Sequence, residues 1–174
     1  SRGLGDVYKR QTLYGSWAGA FGFFQFMPST MKNYAIDFDK NSYIDLKNNH
    51  DAYASAANYL NQIGWKDNEP CFYKVELSNE IPKKYLNVSA KKLHDKKKLK
   101  YFRKYISNEN LIDHKFDDLT TSIITPDKDI IPDAENLSPA YIVFDNYEII
   151  LKWNRSLRFS LAVCTLKEKF KNEL

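Results

Sequence analysis

The 174 residues carry 43% hydrophobic and 28% charged side chains, a balance that argues against disorder and fits one domain or one domain with a small appendage. No apolar run nears the ~18–20 residues needed to cross a bilayer, and the two cysteines, Cys71 and Cys164, are too few for a disulfide scaffold or a four-cysteine zinc site. The net charge of +4 is uneven: ten Lys/Arg stand between Lys83 and Lys104 against one acid, Asp95.

Residues 1–11, SRGLGDVYKRQ, show no useful periodicity and resemble the translation of a sequencing adapter, a natural loop being the more ordinary alternative; they are expected to be a non-native leader outside the fold. Residues 14–30, YGSWAGAFGFFQFMPST, combine glycines with aromatic side chains. Pro28 suits the first turn of a helix running to about Ala35. An acidic, amide-rich loop follows. DAYASAANYLNQI, residues 51–63, predicts a helix with Ala52, Ala56, Leu60 and Ile63 on one face and Gly64 to end it.

From Cys71 to Leu77 the alternation predicts a strand between Pro70 and Pro82. Residues 89–106 read as a basic helix, and 107–138 as loop with at most short strands. AYIVFDNYEIILK, residues 140–152, reads as two strands around Asp145-Asn146. Ser156 then caps a last helix to about Lys171, with Phe159, Val163, Leu166 and Phe170 on its buried face.

Three constellations carry chemistry. In the first, a Gly-rich turn presents Ser16 and Gln25 beside aromatic rings. A Gln amide donates and accepts at once, as a sugar hydroxyl or N-acetyl group requires; a tightly packed loop–helix junction is the plainer reading of the same residues. The second is D-x-D-x-N-x-Y-x-D from Asp37 to Asp45. Asp37, Asp39 and Asn41 offer side-chain oxygens and Tyr43 a carbonyl, in the order of an EF-hand loop. Ser42 replaces the usual Gly, where a left-handed backbone costs ~1 kcal/mol, and Asn48 replaces the final Glu. The third is Trp153-Asn154-Arg155-Ser156 before the closing helix.

These blocks resemble the signature of the lytic murein transglycosylases of the membrane-bound B type: GSWAGAFGFFQFMPS, then YAIDFDKNSYIDL, DAYASAANYLNQIGW and YIVFDNYEIILKWNRSLRFSLAVCTL. The resemblance covers roughly residues 13–66 and 139–170. It implies an α+β, mainly α fold: part of a lysozyme-like domain at 12–66 with a calcium loop, a small strand-containing insertion at 67–139 with a basic helix, and a β-hairpin and closing helix at 140–174. It implies substrate contacts at Ser16, Gln25, Tyr59, Trp153, Asn154 and Phe159, although Phe159 lacks the hydroxyl many relatives have. It implies structural Ca2+ at Asp37, Asp39, Asn41, Tyr43 and Asp51, Asp51 matching a carboxylate further along the loop.

The family's reaction breaks the MurNAc–GlcNAc bond and closes a 1,6-anhydro ring, using one Glu as acid and then base; burial raises the pKa of such a Glu toward neutrality. That Glu belongs to a Glu-Ser-x-x-Gly motif upstream of the Gly-Ser-aromatic block, and no such motif occurs in these 174 residues. The expectation is a fragment of the enzyme, inactive alone and marginally stable. A non-catalytic calcium-dependent glycan-binding module is the alternative. Peptidoglycan strands are the expected partner and a monomer the expected state. The Lys-rich segment reads as a solvated face, or as contact with anionic wall or membrane, and not as a nucleic-acid site, because no base-reading motif accompanies it. The resemblance also implies a periplasmic location, with outer-membrane anchoring as an option. In that oxidising compartment Cys71 and Cys164 are chemically free to pair, but nothing in the sequence brings them together.

Overall fold

The computed structural model describes residues 16–126 and 139–173. Residues 1–15, which include the expected leader and Gly15, residues 127–138, and Leu174 lie outside the described residues. The chain divides into two compact units, residues 1–65 and 66–174.

In the first unit, residues 21–26 form a tight turn whose ends, Phe21 and Phe26, exchange backbone hydrogen bonds at 2.9 Å. Gly22 sits at φ +76, and a Cβ there would lie 2.6 Å from both Cβ and O of Leu46. Neither contact can relax without moving backbone, so the position demands Gly. Gly22→Ala is expected to lower the stability of this unit by about 3 kcal/mol in urea unfolding; a loss below 1 kcal/mol would show that the turn gives way freely.

Helix α1 spans Pro28–Tyr34, with Pro at its start as predicted. Helix α2 spans Asn49–Gln62, begun by Asn48, whose side chain accepts from the His50 N–H at 2.9 Å. Gly64 follows it at φ +105. Its inner face is Asp51, Ala52, Ser55, Ala56 and Tyr59. The small residues let α1 approach, and Ser55 and Asn58 bond the backbone at Ile36 and Tyr34.

The second unit is built on a small mixed sheet. Strands β1 (Phe72–Val75), β2 (Leu86–Asn87), β3 (Lys97–Lys98), β4 (Thr120–Ile124) and β5 (Ala140–Val143) are ordered β1-β5-β4-β2, with β3 also on β4. The β2–β4 pair is parallel and the others antiparallel. The core beneath it includes Val75, Tyr85, Leu99, Phe102, Ile123, Ile142 and Phe144.

Three expectations are corrected in this unit. Residues 89–106 are not one basic helix: Asp95 turns the chain at φ +52, Lys97–Lys98 pair with β4, and helix α3 occupies only Leu99–Phe102. Closely spaced lysines repel along a helix, whereas here Lys98 and Lys100 share Asp118 at 3.2 and 2.9 Å. Residues 140–152 are not a β-hairpin: after β5, helix α4 runs Asp145–Trp153. Buried Asn146, Ile149 and Ile150 follow helical spacing, and Asp145 and Glu148 favour the helix N-terminus.

Helix α5 spans Leu157–Glu173, and the Ser156 hydroxyl accepts from the Phe159 N–H at 3.2 Å, as a cap should. Its buried face, however, is Leu157, Ser160 and Cys164, while Phe159, Leu166 and Phe170 are 40%, 53% and 56% exposed. The rotation is set by two non-local ties. Cys164 is disulfide-bonded to Cys71, and the buried Tyr147 hydroxyl donates to the Leu157 carbonyl at 2.7 Å.

Candidate functional site

The acidic loop between α1 and α2 is wound by its own side chains. Asp37 accepts from the N–H groups of Asn41 and Ser42 at 3.1 and 2.8 Å, and Asn41 accepts from Tyr43 at 2.9 Å. Ser42 takes the left-handed conformation, φ +68, that its position requires. The loop is tied to α2 by Asp51, which is fully buried and accepts from Phe38 N–H at 2.9 Å and Asp45 N–H at 2.8 Å.

Asp37, Asp39 and Asp51 thereby bring one carboxylate oxygen each within 4.8 Å of one another. Oxygens bound to one calcium at 2.3–2.6 Å from the ion span such distances. The residues fit a hard cation, and this acidic group can bind a metal. Asn41 and Tyr43 lie on the same loop, joined to each other by the hydrogen bond above.

Ser16, Gln25 and Tyr59 belong to the first unit. The Ser16 hydroxyl accepts from the Ala20 N–H at 3.1 Å, which leaves its proton to donate. Gln25 is exposed at φ +50, a conformation a non-Gly residue adopts at a cost of ~1 kcal/mol. One amide hydrogen goes to the Gly22 carbonyl at 2.8 Å, fixing the side chain above the turn. Tyr59 is buried, edge-on to Phe26 and Tyr34 with ring centroids 5.7 and 4.9 Å away. Burial, then the neighbouring Tyr34, raise its pKa, so the phenol stays protonated. Tyr34 went unread in the sequence, where a Tyr in KNY carries no signal of its own.

Trp153, Asn154 and Phe159 belong to the second unit. Trp153 is half-buried at the end of α4. Asn154 is exposed and stops that helix, with its N–H on the Ile150 carbonyl at 3.0 Å and its carbonyl accepting from Ser156 N–H at 2.8 Å. Phe159 lies in the first turn of α5, partly exposed. The sequence also missed Asn146. Read as a turn residue, it is fully buried, accepts from Lys66 N–H and donates to the carbonyls of Lys66 and Glu69 at 2.7–2.9 Å.

The family model described as Transglycosylase SLT domain matches residues 5–168. The membrane-bound lytic murein transglycosylase B of Escherichia coli (strain K12) is 51% identical over 53 residues, 30% of this chain and 15% of that protein. The crystal structure of SltB3 from Pseudomonas aeruginosa in complex with NAG-anhNAM-pentapeptide superposes with a TM-score of 0.80 at 32% identity, covering 96% of this chain and 42% of that one. The Escherichia coli lytic transglycosylase Slt35, solved in complex with calcium, shares the fold with a TM-score of 0.65 at 24% identity, covering 90% of this chain and 45% of that one. The chain thus spans less than half the length of each of these three relatives. The α+β, mainly α fold expected from the sequence is the fold these structures have.

Proposed function

The chain belongs to the transglycosylase SLT domain family, an enzyme family, and from that premise we propose that it supplies the glycan-gripping part of a lytic murein transglycosylase. The substrate is peptidoglycan, bound as a GlcNAc–MurNAc strand bearing a peptide, the kind of ligand carried by the related SltB3 complex. The observation that carries the reading is the family match over residues 5–168, together with the exposed side-chain amide of Gln25, held by the Gly22 carbonyl, and the exposed Asn154, whose backbone closes α4. In the first unit Ser16 and Gln25 bond sugar hydroxyls or the N-acetyl group, while buried Tyr59 packs against Phe26 and Tyr34; in the second, Asn154 offers an exposed amide, and Trp153 and Phe159 offer apolar ring faces.

In the complete reaction a carboxyl protonates the glycosidic oxygen as the MurNAc–GlcNAc bond breaks. It then accepts the proton of the sugar 6-hydroxyl as that oxygen closes on C1, giving the 1,6-anhydro product. Residues 1–65 hold no Glu, so the chain's own part is to bind and orient. The same fact favours a second reading, a non-catalytic calcium-dependent glycan module. Release of anhydromuropeptides by the whole protein tells the two apart.

Calcium bound at Asp37, Asp39 and Asp51, with Asn41 and Tyr43 completing the loop, would brace the turn beside α2 and play no part in bond breaking. The buried disulfide accords with an extracytoplasmic location, since such bonds persist in oxidising compartments.

Titrating the chain with the peptide-free disaccharide GlcNAc–anhydroMurNAc tests the reading. Gln25→Ala and Asn154→Ala are each expected to weaken binding about tenfold while Tm stays within about 2 °C. No binding by the unaltered chain would overturn the proposal, and so would a loss of affinity matched by a loss of stability.

A further inference from the structure

Beside Asn154 the second unit holds a concave pocket of about 300 Å³ floored by Leu93 and Leu151, which are 4% and 7% exposed. Lys91, Lys92, Lys152 and Arg155 wall it. The acid on the lining, Glu148, is ion-paired with Lys96, and among the described residues no carboxylate pairs with the four wall cations.

The walls come from two places that the fold holds firmly. Glu148, Leu151 and Lys152 share one face of α4 at i, i+3 and i+4, and Arg155 follows the residue that stops the helix. Lys91 and Lys92 lie on the loop after β2. Buried Asn87 ties that loop down: its amide donates to the carbonyls of Ile123 and His94 at 3.0 and 3.3 Å and accepts from His94 N–H at 2.7 Å. Cations at a helix C-terminus complement its dipole, which accounts for Lys152 and Arg155. It does not account for Lys91 and Lys92, which come from a separate loop to the same pocket.

We propose that this pocket binds a carboxylate on the peptide arm of the peptidoglycan fragment. The inference rests on the glycan reading above: a strand held at Asn154 brings its attached peptide past Arg155, the next residue in the chain. A peptide ends in a carboxylate, and Arg meets a carboxylate with two parallel N–H bonds while lysines add point charges. The apolar floor suits small aliphatic side chains such as alanine. The Lys-rich segment thus gains a ligand at Lys91 and Lys92, near its middle, instead of being a uniformly solvated face.

The test compares three ligands on the full chain by calorimetric titration: GlcNAc–anhydroMurNAc, the same disaccharide bearing a pentapeptide, and the free pentapeptide. The unaltered chain is expected to bind the peptide-bearing disaccharide about tenfold tighter than the bare one. The advantage should shrink as salt rises from 50 to 500 mM. Lys152→Gln with Arg155→Gln, and separately Lys91→Gln with Lys92→Gln, should abolish it, leaving Tm and the affinity for bare disaccharide unchanged. Equal affinity of the unaltered chain for both disaccharides overturns the proposal, as does an advantage that survives both double variants. If neither disaccharide binds, the glycan reading fails by itself, and the free pentapeptide still decides: binding lost in the double variants upholds the pocket, and no binding removes it. Displacement of the peptide arm by glycerol phosphate at concentrations where acetate has no effect would assign the pocket to a phosphate instead, and overturn the carboxylate.

Discussion

Replacing Cys71 and Cys164 together by Ala is expected to lower the stability of the chain by about 4–5 kcal/mol. The bridge joins residues 93 apart in sequence, and closing a loop of that length removes about this much conformational freedom from the unfolded chain. Both cysteines are buried, at 1% and 0% exposure, so the Ala side chains forfeit packing as well. The tie runs from the residue before β1 to the middle of α5. Urea unfolding of the full chain with and without reductant measures the effect, and a difference under 1 kcal/mol would mean that packing alone holds α5 in place. Reduction should also raise the accessibility of Leu157 and Ser160 to hydrogen exchange, since they share the face that Cys164 pins.

Asp51→Ala should cost the first unit about 4 kcal/mol and end its response to calcium. The carboxylate is fully buried, and its removal leaves the N–H groups of Phe38 and Asp45 without their acceptor. Asp51→Asn keeps the volume and one acceptor oxygen but removes the charge. It is expected to retain most of the fold and still lose the metal response, which separates bracing from ligation. In the unaltered chain, calcium at about 100 times its Kd should stabilise by about 2.7 kcal/mol. Asp37→Ala should abolish that gain. Thermal unfolding in EDTA and in millimolar calcium reads all three variants. An unaltered chain that melts at one temperature in both buffers would remove calcium from the proposal while leaving the structural role of Asp51 intact.

Most elements were legible because their signals are local. Pro28 at a helix start, Gly64 after a helix end and Ser156 as a cap each act within one turn of chain. The acidic loop was legible for the same reason: D-x-D-x-N places its oxygens on successive turns of a short loop whatever packs around it. The errors fall where two periods compete or where distant residues decide. DNYEIILK reads as strand–turn–strand if Asp-Asn is taken as a hairpin turn. It folds as a helix because Asn146 is drawn to the backbone of Lys66 and Glu69, some 80 residues earlier. The lysines at 96–98 offer no apolar stripe, so the pairing of Lys97–Lys98 with β4 overrode the helix reading.

The candidate contacts divide in the same way. Gln25 and Asn154 stand out from the sequence through their motifs, but only coordinates give Gln25 its left-handed backbone and Asn154 its place at the end of a helix. The pocket beside Asn154 had no linear signature, since Lys91 and Arg155 are brought together by β2, β4 and α4 rather than by spacing.

By itself the sequence determined the family, the approximate positions of α1, α2, β1 and α5, and the acids that can hold a cation, because short-range backbone preferences and motif spacing are written in consecutive residues. Tertiary structure alone decided which cysteines meet, which face α5 buries, that Asp51 is sealed from water and that four cations line one pocket. Each of these depends on contacts between segments tens of residues apart, and such contacts form only when the hydrophobic core draws the chain closed.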